Sequence, residues 1–331
     1  MKKIINDANE VVQDMLDGLI AAFPNQLKLV EGTTVVARKN APIPNKVGII
    51  SGGGSGHEPA HAGYIGKGML DAAIAGEVFT SPTPDQVYEA IKAVDGGAGV
   101  FMVIKNYTGD MLNFEMAAEL AEADGIQVAQ VIVNDDVAVE DSSFTTGRRG
   151  IAGTVFVHKI AGAKAESGAT LQEVQAIAEK VVNNVRSMGM ALSPCTVPAS
   201  GLPSFELEEN EMEIGMGIHG EPGTEKKEIA SANEIAEELT NKILDDMQLN
   251  SGDEVAVMIN GLGSTPEMEL FIVNGKVHQI LSGKGIKVYE TFVGEYMTSL
   301  EMAGCSVTLL KLDEELKQLL AAESLAPAFR K

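Results

Sequence analysis

Short apolar runs alternate with glycine-rich turns and amphipathic stretches along the chain, a pattern of strands and helices taken in turn. Residues 46–51 (KVGIIS), 100–104 and 126–133 read as buried strands, running into GGGSGHEPAHAG, KNYTGD and NDD respectively. Open parallel sheets build their sites at such carboxyl ends. Residues 84–93 and 113–123 predict crossover helices, and Val12, Leu16, Leu19 and Ile20 recur at helical spacing near the N-terminus. Thr170-Leu171-Gln172-Glu173 has capping-box spacing and Gly189 follows as a stop, which predicts a helix over 171–188. After a Pro- and Gly-rich stretch, 212–218 (MEIGMGI) alternates strictly and predicts a half-buried strand ending at His219. A second capping box at 231–234 opens a helix to 247, and 254–259 predicts another strand. The fold class is therefore α/β, expected as two domains over 1–190 and 191–331, each a sheet covered by helices.

The length of 331 residues, with 45% hydrophobic and 22% charged content, suits a folded chain with more than one compact unit. A formal net charge of -22 repels a phosphate polyanion, so nucleic acid is not an expected partner. Asp, Asn, Glu and Gln interrupt the apolar positions of the first helix, leaving no secretory core or spanning segment, and a cytoplasmic protein is expected. Cys195 and Cys305 lie far apart without metal-type spacing and read as buried free thiols.

Candidate chemistry gathers at the loops. The glycines at 52–54 and 56 demand a backbone free to let a small ligand approach main-chain N–H groups. GxxxxGK[ST] is absent, which argues against a phosphate loop. His57 and His61 stand four apart, as two metal ligands on one helix would, but Pro59 between them breaks that helix and no third ligand is evident, so no metal is expected. His61, His158 and His278 read as structural. His219 precedes a Gly-Glu-Pro-Gly turn that presents its imidazole at an edge, open both to a structural role and to that of a neutral nucleophile. Asp110 is either a catalytic carboxylate at the mouth of a strand or a solvated loop acid, with Lys105 five residues earlier. Arg148 and Arg149, read as opening a helix through Ala165, oppose its dipole and suggest binding, an interface or solvated charge.

Four segments together, GGGSGHEPAHAG (52–63), KNYTGDMLNFEMA (105–117), GRRGIAGTV (147–155) and EIGMGIHGEPG (213–223), resemble the dihydroxyacetone kinase substrate-binding family. The resemblance covers essentially the whole chain and implies a two-domain α/β subunit that forms a homodimer. It further implies that His219 adds covalently to the ketone, that Asp110 is the general base, that His57 hydrogen-bonds the substrate, and that Gly54, Ser55, Gly56 and Lys105 line the pocket. Family members that use ATP directly carry a fused nucleotide domain, whereas this sequence stops at Lys331. The resemblance therefore implies the split system: magnesium and ADP/ATP belong to a separate kinase subunit, recharged from phosphoenolpyruvate through phosphocarrier proteins of the phosphotransferase system, with no cofactor on this chain. The alternative is a dihydroxyacetone-sensing paralogue that acts as a transcriptional coactivator. A nucleotide-binding enzyme acting alone conflicts with the missing phosphate loop.

Overall fold

The computed structural model describes residues 2–139, 147–221 and 223–331. Pro222 of the turn after His219 lies outside them. In chain order the elements are α1 (Val11–Ala22), β1 (Leu27–Leu29), β2 (Val35–Arg38), β3 (Gly48–Ser55), β4 (Ala72–Val78), α2 (Pro84–Val94), β5 (Val100–Lys105), α3 (Thr108–Ala123), β6 (Val128–Val133), α4 (Thr154–Glu166), α5 (Leu171–Asn184) and β7 (Val185–Ala191). They continue as β8 (Glu211–Ile214), β9 (Glu225–Glu228), α6 (Ala232–Asp246), β10 (Glu254–Gly261), α7 (Glu267–Gly283), β11 (Lys287–Gly294), β12 (Gly304–Leu312) and α8 (Glu314–Ala321).

Two six-stranded sheets carry the molecule, ordered β1-β2-β4-β3-β5-β6 and β11-β10-β12-β7-β8-β9. In the first, β4, β3, β5 and β6 run parallel, and β1 and β2 extend the edge antiparallel. The second is antiparallel except for β10 with β11.

Strand periodicity sorts the core into layers, because successive side chains point to opposite faces. Val100, Met102 and Ile104 of β5 pack with Val87, Ile91 and Phe114 of α2 and α3, whereas Phe101 and Val103 face a cluster with Val155 of α4 and Val181 of α5. Ala256 and Met258 of β10 join that same cluster from the second sheet, and Val255, Val257 and Ile259 face α6 and α7. Helices α4 and α5 thus contribute to the layer shared by both sheets. Burial all round explains why α4 lacks a polar face: eleven of its thirteen residues are buried, His158 and Lys159 among them.

Both capping boxes form, Thr170 with Glu173 and Ser231 with Glu234. Three local expectations are corrected. The helix over 171–188 stops at Asn184, because Val185 turns extended and 185–191 pairs with β12 and β8. The strand expected to reach His219 ends at Ile214, because Gly215 takes φ +76°. Arg148 and Arg149 precede α4, which begins at Thr154, and do not oppose its dipole. Cys195 and Cys305 are buried free thiols. No described helix is long and apolar enough to cross a membrane.

Candidate active site

The site grows from the carboxyl end of β3, where Gly52, Gly53 and Gly54 leave three successive positions of a central strand without side chains. A Cβ on Gly53, at φ +153°, would stand 2.6 Å from Lys105 Nζ, and one on Gly54 would stand 2.5 Å from the backbone N of Thr80. The glycines therefore let an ammonium and the 79–81 segment close directly on the strand. Lys105 is the last residue of β5 and Asp110 lies in the first turn of α3, where the helix dipole favours a carboxylate. Their Nζ and Oδ2 atoms are 3.7 Å apart, with both residues buried.

The imidazoles enter from two directions. His57 follows the glycine strand, and its Nδ1 donates to the carbonyl of Thr298 at 2.9 Å. A carbonyl only accepts, so Nδ1 carries the proton and Nε2 keeps a lone pair. That Nε2 is buried without a partner, as is the hydroxyl of Tyr107. His219 sits in the turn after β8, and its ring lies 4.9 Å from that of His57 and 5.4 Å from Phe79, edge-on to both. Glu221 Oε2 accepts from the backbone N of His219 at 2.9 Å.

Gly54, Phe79, Ser81, Tyr107, Asp110 and His219 are among the residues lining one cavity of about 410 Å³. Such a volume falls in the range of small-molecule sites. Of the expected site residues, Gly54, Asp110 and His219 reach its wall. Lys105 stands behind Gly53 beside Asp110, and His57 contacts the cavity through the His219 and Phe79 rings. Ser55 departs from the expectation: its hydroxyl donates to Gly76 O on β4 at 2.7 Å, and the residue borders a different cavity between α1 and the glycine strand. Gly56 acts through its backbone, its carbonyl accepting from Leu300 N at 2.7 Å.

Burial sets the electrostatics. It drives the His219 pKa down to about 3, with the charges of Lys105 and Arg149 adding to the effect, and it holds His57 well below the ordinary range. Both rings are neutral at neutral pH. Asp110 is raised by burial, against the pull of Lys105 and Ser81, while Lys105 is lowered by burial, against the pull of Asp110. The arrangement can thus offer a neutral nitrogen nucleophile, a carboxylate of raised basicity and a nearby cation.

Phe79 and Tyr107 were hidden in the sequence, and the role of Arg149 was left open there. Phe79 and Tyr107 form the aromatic walls. Arg149, fully buried, bonds Asp136 Oδ2 through Nε at 2.8 Å, the carbonyl of Gly215 at 2.7 Å and Glu221 Oε1 at 3.3 Å, so it anchors the turn bearing His219. The signal was the GRRG run itself, whose buried carboxylate partners lie too far along the chain to be recognised. Arg148 instead forms a bidentate pair with Asp246. His278 is half-buried on α7 beside Thr291.

Comparison with known proteins places the chain and its fold among relatives. The chain is 57% identical over 315 residues to the dihydroxyacetone-binding subunit DhaK of a PTS-dependent dihydroxyacetone kinase from Listeria innocua, spanning 95% of each chain. It is 45% identical to the corresponding subunit of the PEP-dependent kinase of Escherichia coli, spanning 99% of each. Among solved structures, a dihydroxyacetone kinase operon co-activator superposes with a TM-score of 0.91 at 36% identity, over 98% of this chain and 99% of that one. The Dak1 domain family matches residues 17–328, and the chain belongs to it.

Proposed function

We propose that this chain is the dihydroxyacetone-binding subunit of a phosphotransferase-system dihydroxyacetone kinase, acting as a homodimer with a separate subunit that bears magnesium and ADP/ATP. The observation that carries the reading is one cavity into which the neutral His219 of the second sheet's turn and the basic Asp110 of the first sheet's α3 both project. Near-full-length relatives named as PTS-dependent subunits support the split arrangement.

In this reading a lone-pair nitrogen of His219 adds to the ketone carbon. The new C–N bond forms as the carbonyl π pair moves to oxygen, which takes a proton while the other ring nitrogen gives one up. The attacking nitrogen then carries no hydrogen, so the adduct cannot dehydrate to a neutral imine and rests as a hemiaminal. Such a bond selects for a carbonyl, which glycerol lacks. His57 Nε2, a buried lone pair, accepts from a ligand hydroxyl. Asp110 takes the proton of the terminal hydroxyl as that oxygen attacks phosphorus, and positioning with electrostatics accounts for the rest of the transfer.

A second reading, a ketone-sensing coactivator, draws on the likeness to the operon co-activator. The assembled Asp110, Lys105 and His57 favour the kinase, since sensing needs no general base. The deciding experiment reconstitutes the chain with its nucleotide subunit, the phosphocarrier proteins and phosphoenolpyruvate. Dihydroxyacetone phosphate should form at a rate that depends on this chain, and ketone binding without turnover would favour the sensor.

A further inference from the structure

Behind the glycine strand a line of polar groups runs from the site into the core. Lys105 Nζ lies 2.8 Å from His61 Nε2, and His61 Nδ1 lies 3.0 Å from His158 Nε2. All three side chains are buried. The donors fix where each proton sits. An ammonium only donates, so His61 Nε2 is a lone pair and its proton is on Nδ1. Ser51 agrees: its own proton goes to Val103 O at 2.7 Å, leaving its oxygen to face His61 Nδ1 at 3.4 Å as an acceptor. His158 Nε2 then accepts from His61, which places the second ring's proton on Nδ1. Each ring is neutral, as burial and the nearby Lys105 charge require, and the tautomer of His61 is fixed by its contacts on both nitrogens, while Nδ1 of His158 is buried without a partner.

The consequence falls on Lys105. An ammonium has three protons to direct. One goes to Gly52 O at 3.1 Å, one to His61, and the remaining one lies on the side of Asp110, 3.7 Å away. A flexible four-carbon stem with two fixed acceptors loses the freedom to turn away.

We propose that His61, itself held by His158, is a positioning residue for Lys105: by accepting one ammonium proton it leaves a single proton aimed at Asp110 and the ligand hydroxyl. This rests on the reading of Asp110 as the base for that hydroxyl, with Lys105 beside it, and it gives a chemical role to a histidine that otherwise reads as core filling.

Two substitutions separate positioning from packing. Glutamine extends far enough to put a carbonyl oxygen where His61 Nε2 stood, whereas asparagine reaches toward His158 but stops short of Lys105. In the reconstituted system His61→Gln should keep turnover within about threefold of the parent, and His61→Asn should lose about 10²-fold in kcat/KM, the scale expected when a reacting group is misplaced. Equal losses in both variants, tracking their melting temperatures, would make His61 a core residue only. Nitrogen-15 NMR on the chain alone gives an answer independent of turnover. The His61 signals should report a protonated Nδ1 and a bare Nε2, and the Lys105 Nζ resonance should be retained in His61→Gln and shifted in His61→Asn. A protonated Nε2 in the parent overturns the proposal. If the nitrogen spectra behave as stated while the reconstituted system fails to turn over, the kinase reading has failed and the positioning of Lys105 stands.

Discussion

Tyr107 stands edge-on to His219, ring centroids 4.4 Å apart at 87°. With Phe79 and His57 it gives the imidazole a largely aromatic surround, the environment in which burial keeps the ring uncharged. Because His219 titrates at about 3, its lone pair is available throughout the neutral range. Ketone labelled at its central carbon should therefore move to the tetrahedral region of the carbon NMR spectrum, with a binding constant nearly flat from about pH 6 to about pH 8. His219→Ala should leave the bound carbonyl trigonal and let glycerol compete better. A carbonyl that stays trigonal on the native chain at saturation means the site is an ordinary noncovalent polyol pocket.

Asp110→Asn tests the base. The amide keeps the shape of the carboxylate, so ketone binding should persist while transfer in the reconstituted system slows by about 10²- to 10⁴-fold. That corresponds to about 3 to 5 kcal/mol of transition-state stabilisation. Unchanged turnover, measured when phosphoryl transfer limits the rate, removes Asp110 from that role.

Arg149→Met should cost about 3 to 5 kcal/mol of stability, read as a lower urea midpoint, because it strands the buried carboxylates of Asp136 and Glu221 without their cation. Ketone affinity should fall further than stability alone explains, since the backbone N of His219 is bonded to the same Glu221. A variant as stable as the parent would show that the anchor is dispensable.

Stability should decline below neutrality. His158 and His219 both titrate at about 3 in the folded chain, below their unfolded value of about 6.5. Their contribution is complete above the unfolded value and is lost as pH falls toward the folded one, at about 1.4 kcal/mol per pH unit for each ring. Asp136, raised to about 6, has the opposite sign and offsets part of the loss, because the folded chain takes up its proton first, and Asp110, Asp135 and Glu58, also raised by burial, act in the same direction. The four depressed histidines outweigh these carboxylates, because their unfolded value of about 6.5 lies inside the window, so the urea midpoint at pH 5 should lie below that at pH 7. A midpoint that holds steady or rises contradicts the neutral burial of these rings.

Legibility followed the range of the interactions involved. Capping boxes involve residues three apart, so Thr170 and Ser231 announced their helices correctly. The end of α5 did not announce itself, because 185–191 is a strand only by virtue of β12 and β8, which come later in the chain. The glycine run revealed a close approach of backbone, but not that Lys105 and the 79–81 segment would fill the space. Phe79, a non-glycine residue at φ +56°, gave no local sign of forming a wall. His57 and His61 have the spacing of a helical pair but Pro59 argued against one, and they part company, one toward His219 and the other toward Lys105.

The segment after the glycine strand has a consequence for the rate at which a ligand comes and goes. Leu300 N bonds Gly56 O at 2.7 Å, Thr298 N bonds His57 O at 3.2 Å, and the Thr298 hydroxyl bonds Glu58 O at 2.8 Å. These contacts stitch the floor of the site to a connection between β11 and β12 of the other sheet. A floor tied down in this way cannot swing aside as a door, so entry and exit fall to other parts of the wall. Binding should then order little of the backbone, leaving most of the interaction energy available for affinity. Hydrogen exchange at the amides of Thr298 and Leu300, the donors in these contacts, should already be slow in the free chain and change little on saturation.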